Sequence, residues 1–136
     1  MTKLQPASAQ LGYVIIYVPD VRDTVAFYTR AFGVKPRFIH ESGEYAELET
    51  GATALAFAHE GSTITRDVFI PNRADAKAAG AEVAFIVPDV QAALDKAIGQ
   101  GATLVTKPVD KPWGQTISYV RDLNGFLVEL CTEVKG

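Results

Sequence analysis

The chain is poor in the side chains that most often mark a catalytic centre. Its 136 residues contain one cysteine, one tryptophan and two histidines. A single cysteine cannot form an internal disulfide bond, and Cys131 lies in an apolar run that favours a small buried side chain. His40 and His59 are the only imidazoles available to a transition metal. The composition therefore weighs against a disulfide-stabilised protein and against a histidine-rich metal centre.

Positive charge is neither abundant nor clustered. The chain has 13 Lys and Arg against 16 Asp and Glu, which gives a formal net charge of −3. Binding to nucleic acid needs concentrated positive charge, so no nucleic-acid partner is predicted. The longest apolar runs have the length of strands, and residues 1–10 lack the apolar stretch of a signal peptide. We therefore predict no membrane partner and a cytoplasmic location.

A short phrase occurs twice in the chain. Residues 14–21 read VIIYVPDV, and residues 83–90 read VAFIVPDV, 69 positions later. Each copy is an apolar strand that stops at proline and continues at aspartate, a residue that caps the first free N–H groups of a helix. The repeat indicates one supersecondary unit used twice.

The residues after each phrase have helical spacing. The first helix is predicted from Val21 to Phe32, with Gly33 as its C-terminal stop. The second is predicted from Val90 to about Gly99, with Gly101 just beyond it. Both predicted helices carry one apolar stripe, which is typical of a helix that packs on a sheet.

Alternating apolar and polar residues follow each predicted helix. They predict six strands, separated by short segments rich in glycine, proline and asparagine. The predicted strands are Val34 to Glu41, Tyr45 to Thr50, Thr53 to Glu60, Ala102 to Val109, Gln115 to Arg121 and Phe126 to Thr132. Each half therefore reads as strand, helix, strand, strand, strand. The length suits a single domain, residues 1–136, with modules at 11–60 and 81–133 and a linker at 61–80.

This pattern resembles the glyoxalase, bleomycin-resistance and extradiol-dioxygenase superfamily, also called the vicinal oxygen chelate fold. The resemblance is carried by the two strand–Pro–Asp–helix phrases, by residues 26–28 (AFY) with Phe32-Gly33, and by residues 113–115 (WGQ) and 121–130 (RDLNGFLVEL). It implies an α+β fold in which two tandem βαβββ modules form a curved mixed β-sheet cavity with helices on the outer face. One fold hosts many activities, so function is argued from the site.

The resemblance also implies where a metal would bind. Metal-dependent members take one ligand near the start of the first strand and one in the last strand of each module. Those positions correspond here to Tyr13, Ala56, Glu82 and Glu129, and a shifted register places Glu47 at the missing position. Carboxylates without histidine suit Mg²⁺ or Ca²⁺ better than Zn²⁺, Ni²⁺ or iron. We therefore predict no metal cofactor; a divalent ion, if bound, would use Glu82, Glu129 and possibly Glu47.

Strand parity predicts what lines the cavity. If Tyr13 and Glu129 point inward, the greasier opposite faces pack under the helices, and the inner wall combines tyrosines, carboxylates and small alanines. Aromatic faces offer stacking, and carboxylates favour a cation or a hydrogen-bond donor. The predicted ligand-binding residues are Tyr13, Tyr17, Tyr45, Glu47, Glu82, Trp113, Tyr119, Arg121 and Glu129.

Trp113 lies in the loop of residues 111–115, KPWGQ, where proline and glycine restrict the backbone on either side. A lone indole on a stiff loop is suited to cover the mouth of a cavity, as aromatic residues do in family members that bind antibiotics. A hydrophobic plug for the core or for a dimer interface fits the same loop. The sequence leaves both interpretations open.

Three functions are compatible with these features. The favoured one is a metal-free protein that binds a small molecule and sequesters an aromatic or cationic compound such as an antibiotic. The alternative is a glyoxalase-like lyase or dioxygenase-type enzyme that uses a noncanonical metal or a carboxylate general base, Glu129 or Glu82. A dimeric partner or regulatory module is the third.

A homodimer is predicted, because each four-stranded half presents long sheet edges that association would cover. In the family, paired modules close within one chain or across a dimer. The sequence leaves that choice open, and a cavity in this protein can therefore combine residues of two subunits.

Overall fold

The same order of elements occurs twice along the chain. The computed structural model describes residues 5–134. The first module contains β1 (Tyr13–Val18), α1 (Val21–Phe32), β2 (Pro36–Ile39), β3 (Tyr45–Leu48) and β4 (Ala54–His59). The second contains β5 (Glu82–Ile86), α2 (Val90–Gly99), β6 (Thr103–Lys111), β7 (Gln115–Arg121) and β8 (Leu127–Cys131). The predicted α+β class with tandem βαβββ modules is confirmed.

Both helices begin where the repeated aspartates predict. Oδ1 of Asp20 accepts a hydrogen bond from the backbone N–H of Asp23 at 2.9 Å, and Oδ1 of Asp89 accepts one from Ala92 at 3.0 Å. The first helix ends at Gly33, whose φ of 72° lies in the left-handed region that glycine adopts without a steric penalty. Local capping chemistry therefore sets the helix bounds.

The strands differ from their predicted bounds by a few residues. β2 is shorter than the predicted Val34 to Glu41, and β6 extends to Lys111 rather than ending at Val109. β7 has the predicted bounds, Gln115–Arg121. Residues 61–80 form turns and bends without a helix or strand.

Each module folds into its own four-stranded sheet. The strand orders are β1-β4-β3-β2 and β5-β8-β7-β6, and within residues 5–134 no strand pairing joins the two sheets. In each sheet the first pair in this order, β1–β4 or β5–β8, is parallel, and the other two pairs are antiparallel. Ile15 lies opposite Ala56 in the first sheet, and Ala84 lies opposite Glu129 in the second. The sequence repeat is therefore also a repeat of strand register.

A single core unites the modules on the helix side of both sheets. As strand parity predicts, Ile16, Phe57 and Leu130 are buried there. Tyr28 of α1 donates a hydrogen bond to the buried carboxylate of Asp122, and Asn124 Nδ2 donates to Thr24 Oγ1 at 3.1 Å. These bonds connect the first helix to the turn between β7 and β8. Burial raises the pKa of Tyr28 well above its usual range, so the phenol remains a donor.

The inner faces of the first strands remain open. Tyr13 and Ile15 of β1 and Ile86 of β5 are exposed, although each belongs to an apolar strand. None of the helices in residues 5–134 combines the length and apolar character needed to cross a bilayer.

Candidate functional site

The second module places a tyrosine and two carboxylates together on the inner face of its sheet. Tyr119 of β7 lies opposite Glu129 of β8, and its hydroxyl donates to Glu129 Oε1 at 2.9 Å. Glu82, at the start of β5, lies opposite Leu127, two residues before Glu129 on the neighbouring strand. Strand alternation puts these two glutamates on one face as diagonal neighbours. The sequence predicts all three as site residues, and the fold brings them together.

The charge of these carboxylates is not compensated. Within residues 5–134, neither Glu82 nor Glu129 takes part in an ion pair within 4.0 Å. Burial, and then the hydrogen bond and charge of Glu129, raise the pKa of Glu82 above its ordinary value. Burial and the bond to Glu129 raise the pKa of Tyr119 to about 12. Tyr119 is therefore a permanent donor, and the pair of glutamates is an electronegative patch.

The equivalent face of the first module has a different charge balance. Glu47 of β3 occupies the position that Tyr119 holds in β7, opposite Ala56. Tyr45 donates to Glu47 Oε2 at 2.8 Å, and Nη1 of Arg37 lies 3.4 Å from Glu47 Oε1. The same guanidinium forms a bidentate pair with Glu49 at 2.9 and 3.0 Å. The charge of this carboxylate cluster is therefore partly compensated inside its own module.

Arg37 has an apolar counterpart in the second module. The β2–β3 register shifts between Pro36 and Phe38, so Arg37 occupies a bulge. The β6–β7 register shifts between Leu104 and Thr106, which places Val105 at the matching bulge. Exposed Val105 supplies no charge to its sheet. One substitution between repeats thus accounts for much of the difference in charge.

The linker covers the ring of Tyr17. Phe69 stacks on it with ring centroids 4.4 Å apart, and the hydroxyl of Thr65 donates to Tyr17 Oη at 2.7 Å. That bond lowers the pKa of Tyr17. Tyr13, on the same face of β1, remains exposed. Of the two β1 tyrosines predicted to bind a ligand, Tyr17 is therefore covered by the linker and Tyr13 is open to solvent.

Arg121 holds the linker by backbone contacts. Its Nε donates to the carbonyl of Gly125 at 2.8 Å, and its Nη2 donates to those of Arg73 at 3.2 Å and Ala76 at 2.6 Å. Arg73 in turn pairs with Glu60 at 2.6 Å. The guanidinium thus fixes the path of the chain between the modules and leaves the glutamates of the second sheet uncompensated.

Trp113 projects from the turn between β6 and β7. Its ring is 49% exposed, and Nε1 donates to Gln115 Oε1 at 2.8 Å. Gln115 Nε2 donates to the carbonyl of Thr132 at 3.2 Å, beside the end of β8. The indole is therefore oriented by its own loop and is not a plug for the core. Its exposed face is available to a ligand or to a second subunit.

A groove connects the modules beside Glu82. It has a volume of about 420 Å³ and is lined by β5 and by residues of the first module, including Val14 and Leu55. Ligand pockets commonly fall in this range of size and combine apolar walls with a few polar groups. A second cavity of about 280 Å³ lies between the helices and contains none of the predicted site residues.

The donor set does not fit the metal centre that the fold family implies. Ala56 holds the register position equivalent to Glu129 and offers no donor atom. Glu47, which lies opposite it, is committed to Arg37 and Tyr45. Within residues 5–134, no three His, Cys, Asp or Glu side chains converge closely enough to hold an ion.

The sequence analysis missed Arg37, Thr65 and Phe69. Arg37 follows a proline in a strand where alternation fails at the bulge, so its direction was not readable from the pattern. Thr65 and Phe69 lie in a segment without periodic structure, and their contact with Tyr17 spans about 50 residues of sequence. The one available signal in the sequence was the arginine itself, because Arg37 lies on the strand that pairs with the strand carrying Glu47.

Paired βαβββ modules, with a groove between them and polar side chains on the inner sheet faces, define a class of small-molecule-binding proteins and enzymes built on a common scaffold. The chain belongs to the Glyoxalase/Bleomycin resistance protein/Dioxygenase superfamily, whose family model matches residues 10–130. No curated protein matches the chain.

Solved structures share the fold at low sequence identity. A glyoxalase/bleomycin resistance protein/dioxygenase family enzyme from Burkholderia phytofirmans is 22% identical, with a TM-score of 0.78 over 91% of this chain and 98% of that one. A glyoxalase-related enzyme from Fulvimarina pelagi is 19% identical, with a TM-score of 0.73 over 91% and 88%. TioX from Micromonospora sp. ML1 is 25% identical, with a TM-score of 0.68 over 91% and 98%. These likenesses establish the scaffold.

Proposed function

We propose that the protein binds and sequesters an aromatic cation, without a metal, on the inner face of its second module. The observation that carries this proposal is the pair Glu82 and Glu129, which has no cationic partner among residues 5–134. Two like charges held together on a partly buried surface repel each other, and a bound cation relieves that repulsion. An antibiotic with a cationic ring system is one compound of this class.

Neighbouring side chains provide surfaces for a flat ring. Tyr119 lies against Glu129, exposed Ile86 lies on the same strand as Glu82, and Trp113 carries an exposed indole at the end of the adjacent hairpin. Aromatic faces attract cations as well as rings, and they contribute most where water is excluded. The groove of about 420 Å³ beside β5 has room for a fused two-ring compound next to Glu82, and Glu129 and Tyr119 lie outside its lining.

We propose that the protein is a homodimer. Among residues 5–134, β1 (YVIIYV) pairs only with β4, so the other edge of a strand without charge or proline has no hydrogen-bonded neighbour. β5 forms the corresponding edge of the second sheet. Association of two copies covers these edges and deepens the groove over Glu82.

A series of three probes of similar shape tests the proposed ligand class. N-methylquinolinium is permanently cationic, 1-methylnaphthalene is neutral and 1-naphthoate is anionic. Trp113, the only tryptophan, reports binding through its fluorescence. We expect the cation to bind at least about tenfold more tightly than the neutral compound, which corresponds to the contribution of one charge-assisted contact. Equal affinity for all three probes would contradict the proposal.

The raised pKa of Glu82 favours a second function, general acid–base catalysis by a carboxylate. A glutamate whose pKa lies closer to neutrality transfers protons more effectively at physiological pH. Glu82 would take a proton from a carbon next to a carbonyl group, and Tyr119 would turn its single O–H from Glu129 to the resulting oxyanion. Exchange of α-protons of small ketones in D₂O, followed by NMR, tests this activity. Exchange no faster with the protein than with Glu82→Gln would exclude it.

A further inference from the structure

The linker between the modules presents apolar side chains outward from a fixed position. We name residues 63–70 the linker strap. Within it, Ile64 is 98% exposed, Val68 is 79% exposed and Ile70 is 91% exposed. Surface loops normally show polar groups to water and turn apolar groups inward. The strap does the reverse at three β-branched residues.

The contacts of the strap hold these side chains in place. Thr65 and Phe69 both bind Tyr17, and the backbone N–H of Val68 donates to the carbonyl of Thr65 at 3.0 Å. Beyond the strap, Arg73 forms a bidentate pair with Glu60 at 2.6 and 3.0 Å. Thr65 and Phe69 contact Tyr17 of the sheet, whereas the side chains of Ile64 and Val68 are exposed. The exposed apolar groups are therefore a preformed surface.

Exposed apolar side chains also lie on the edge strand of the first sheet to which the strap is attached. Tyr17, to which the strap is attached, belongs to β1, and Tyr13 and Ile15 are exposed on the same face of that strand. An open apolar edge strand without charge is normally covered by another chain. Contiguous exposed apolar surface of this kind marks an interaction site.

The charges on the strap identify the partner. Arg66 and Asp67 are adjacent and exposed, and neither forms an ion pair within residues 5–134. A surface that carries both signs side by side is complementary to itself across a twofold axis. Two antiparallel straps would place Arg66 of each copy against Asp67 of the other, as an isologous interface requires.

We propose that the linker strap is a self-association surface, on which Ile64, Val68 and Ile70 pack against a second copy and Arg66 pairs with Asp67 across the twofold axis. This inference rests on the homodimer of the proposed function and names the surface that forms it. The strap also covers Tyr17, so dimerisation fixes one wall of the inner sheet face.

Charge reversal tests the pairing. Arg66→Asp places four acidic groups at the twofold axis, and Asp67→Arg places four basic groups there. We expect each single variant to raise the dimer dissociation constant by about tenfold or more, measured by sedimentation velocity, and the double variant to restore it. Ile64→Asn should weaken the dimer similarly. Arg30→Glu, a charge reversal on an exposed residue of α1, is the matched control.

Several outcomes would overturn the inference: a monomeric wild-type protein, single variants that dimerise normally, or a double variant that stays dissociated. The side chains changed are exposed, so we expect each variant to remain folded, with a circular dichroism spectrum like that of the wild-type protein. N-methylquinolinium binding is measured on the same samples. A protein that dimerises through the strap but binds no cation would contradict the proposed function and leave this inference standing.

Discussion

Each module contains a tyrosine–glutamate contact, but the two contacts differ in geometry and in charge balance. Tyr45 donates to Glu47 within one strand of the first module, Tyr119 donates to Glu129 across two strands of the second, and the pKa of each tyrosine is raised to about 12. Arg37 partly compensates the charge of the first cluster. The second contains a further carboxylate, Glu82, and a valine at the position of the arginine.

In the proposed function, the two copies of the module divide a structural role and a binding role. A carboxylate with its own guanidinium and a nearly buried side chain has little left to offer a ligand. A carboxylate pair without a cation has an unfavourable interaction that a ligand can remove. The first module is therefore interpreted as the structural half and the second as the binding half.

Removal of the carboxylate charges of Glu82 and Glu129 should have the largest effect on the binding of the cation. We expect the double variant Glu82→Gln/Glu129→Gln to weaken N-methylquinolinium binding by about tenfold to a hundredfold, because two charge-assisted contacts are lost. Isothermal titration calorimetry measures the affinity. The matched variant is Glu47→Gln in the first module, which should change affinity by less than about twofold. A larger effect of Glu47→Gln would reverse the assignment of the modules.

Acidification should have the second largest effect on the binding of the cation. The pKa of Glu82 is raised, so it becomes neutral at a higher pH than an exposed glutamate does. Binding of a permanent cation is therefore complete above this pKa and is lost as the pH falls through it. For folding the sign is opposite, because this group makes folding less favourable as the pH rises from its ordinary pKa to the raised one.

Titration of N-methylquinolinium between pH 4 and pH 8 measures this dependence, since the charge of the probe is constant. Glu82→Gln should flatten the upper part of the profile. An affinity that is independent of pH in the wild-type protein would show that Glu82 does not contact the cation.

An arginine at position 105, which matches Arg37, should make the charge balance of the second module more like that of the first. In Val105→Arg, a guanidinium enters the bulge that matches Arg37, on the strand next to Tyr119 and two strands from Glu129. We expect the affinity for the cation to fall by roughly threefold to tenfold, because a like charge opposes the ligand. Val105→Gln, similar in length and uncharged, controls for size. Equal effects of the two variants would show that shape rather than charge is responsible.

The tyrosine variants should have the smallest effect on binding. Tyr119→Phe should weaken the cation complex by about threefold, since one hydrogen bond that orients Glu129 is lost, whereas Tyr45→Phe should leave it unchanged. Alkaline absorbance titration provides an independent check. Each variant should lose one phenol that ionises near pH 12. Loss of a phenol that ionises near its usual pH would contradict the hydrogen bonds assigned here.

Local signals in the sequence predict most of the fold. Asp20, Asp89 and Gly33 set the helix ends through contacts within a few residues, and strand alternation places Glu82, Tyr119 and Glu129 on one face. The repeat also predicts the strand register.

The charge balance of the site depends on contacts that no local pattern contains. Arg37 reaches Glu47 because of a bulge, and Tyr17 is covered because the linker returns to β1 with Phe69. Arg121 alternates toward the inner face but is used by backbone carbonyls of the linker. In each case a long side chain or an irregular segment has several possible partners. Packing between the modules determines which of them it contacts.

A crystal structure of the protein with N-methylquinolinium would show where the cation binds. We expect the charged ring to lie on the inner face of the second sheet, with its nitrogen beside the carboxylates of Glu82 and Glu129 and its edge toward Tyr119. A ring bound on the Arg37–Glu47 face, or in the cavity between the helices, would contradict it.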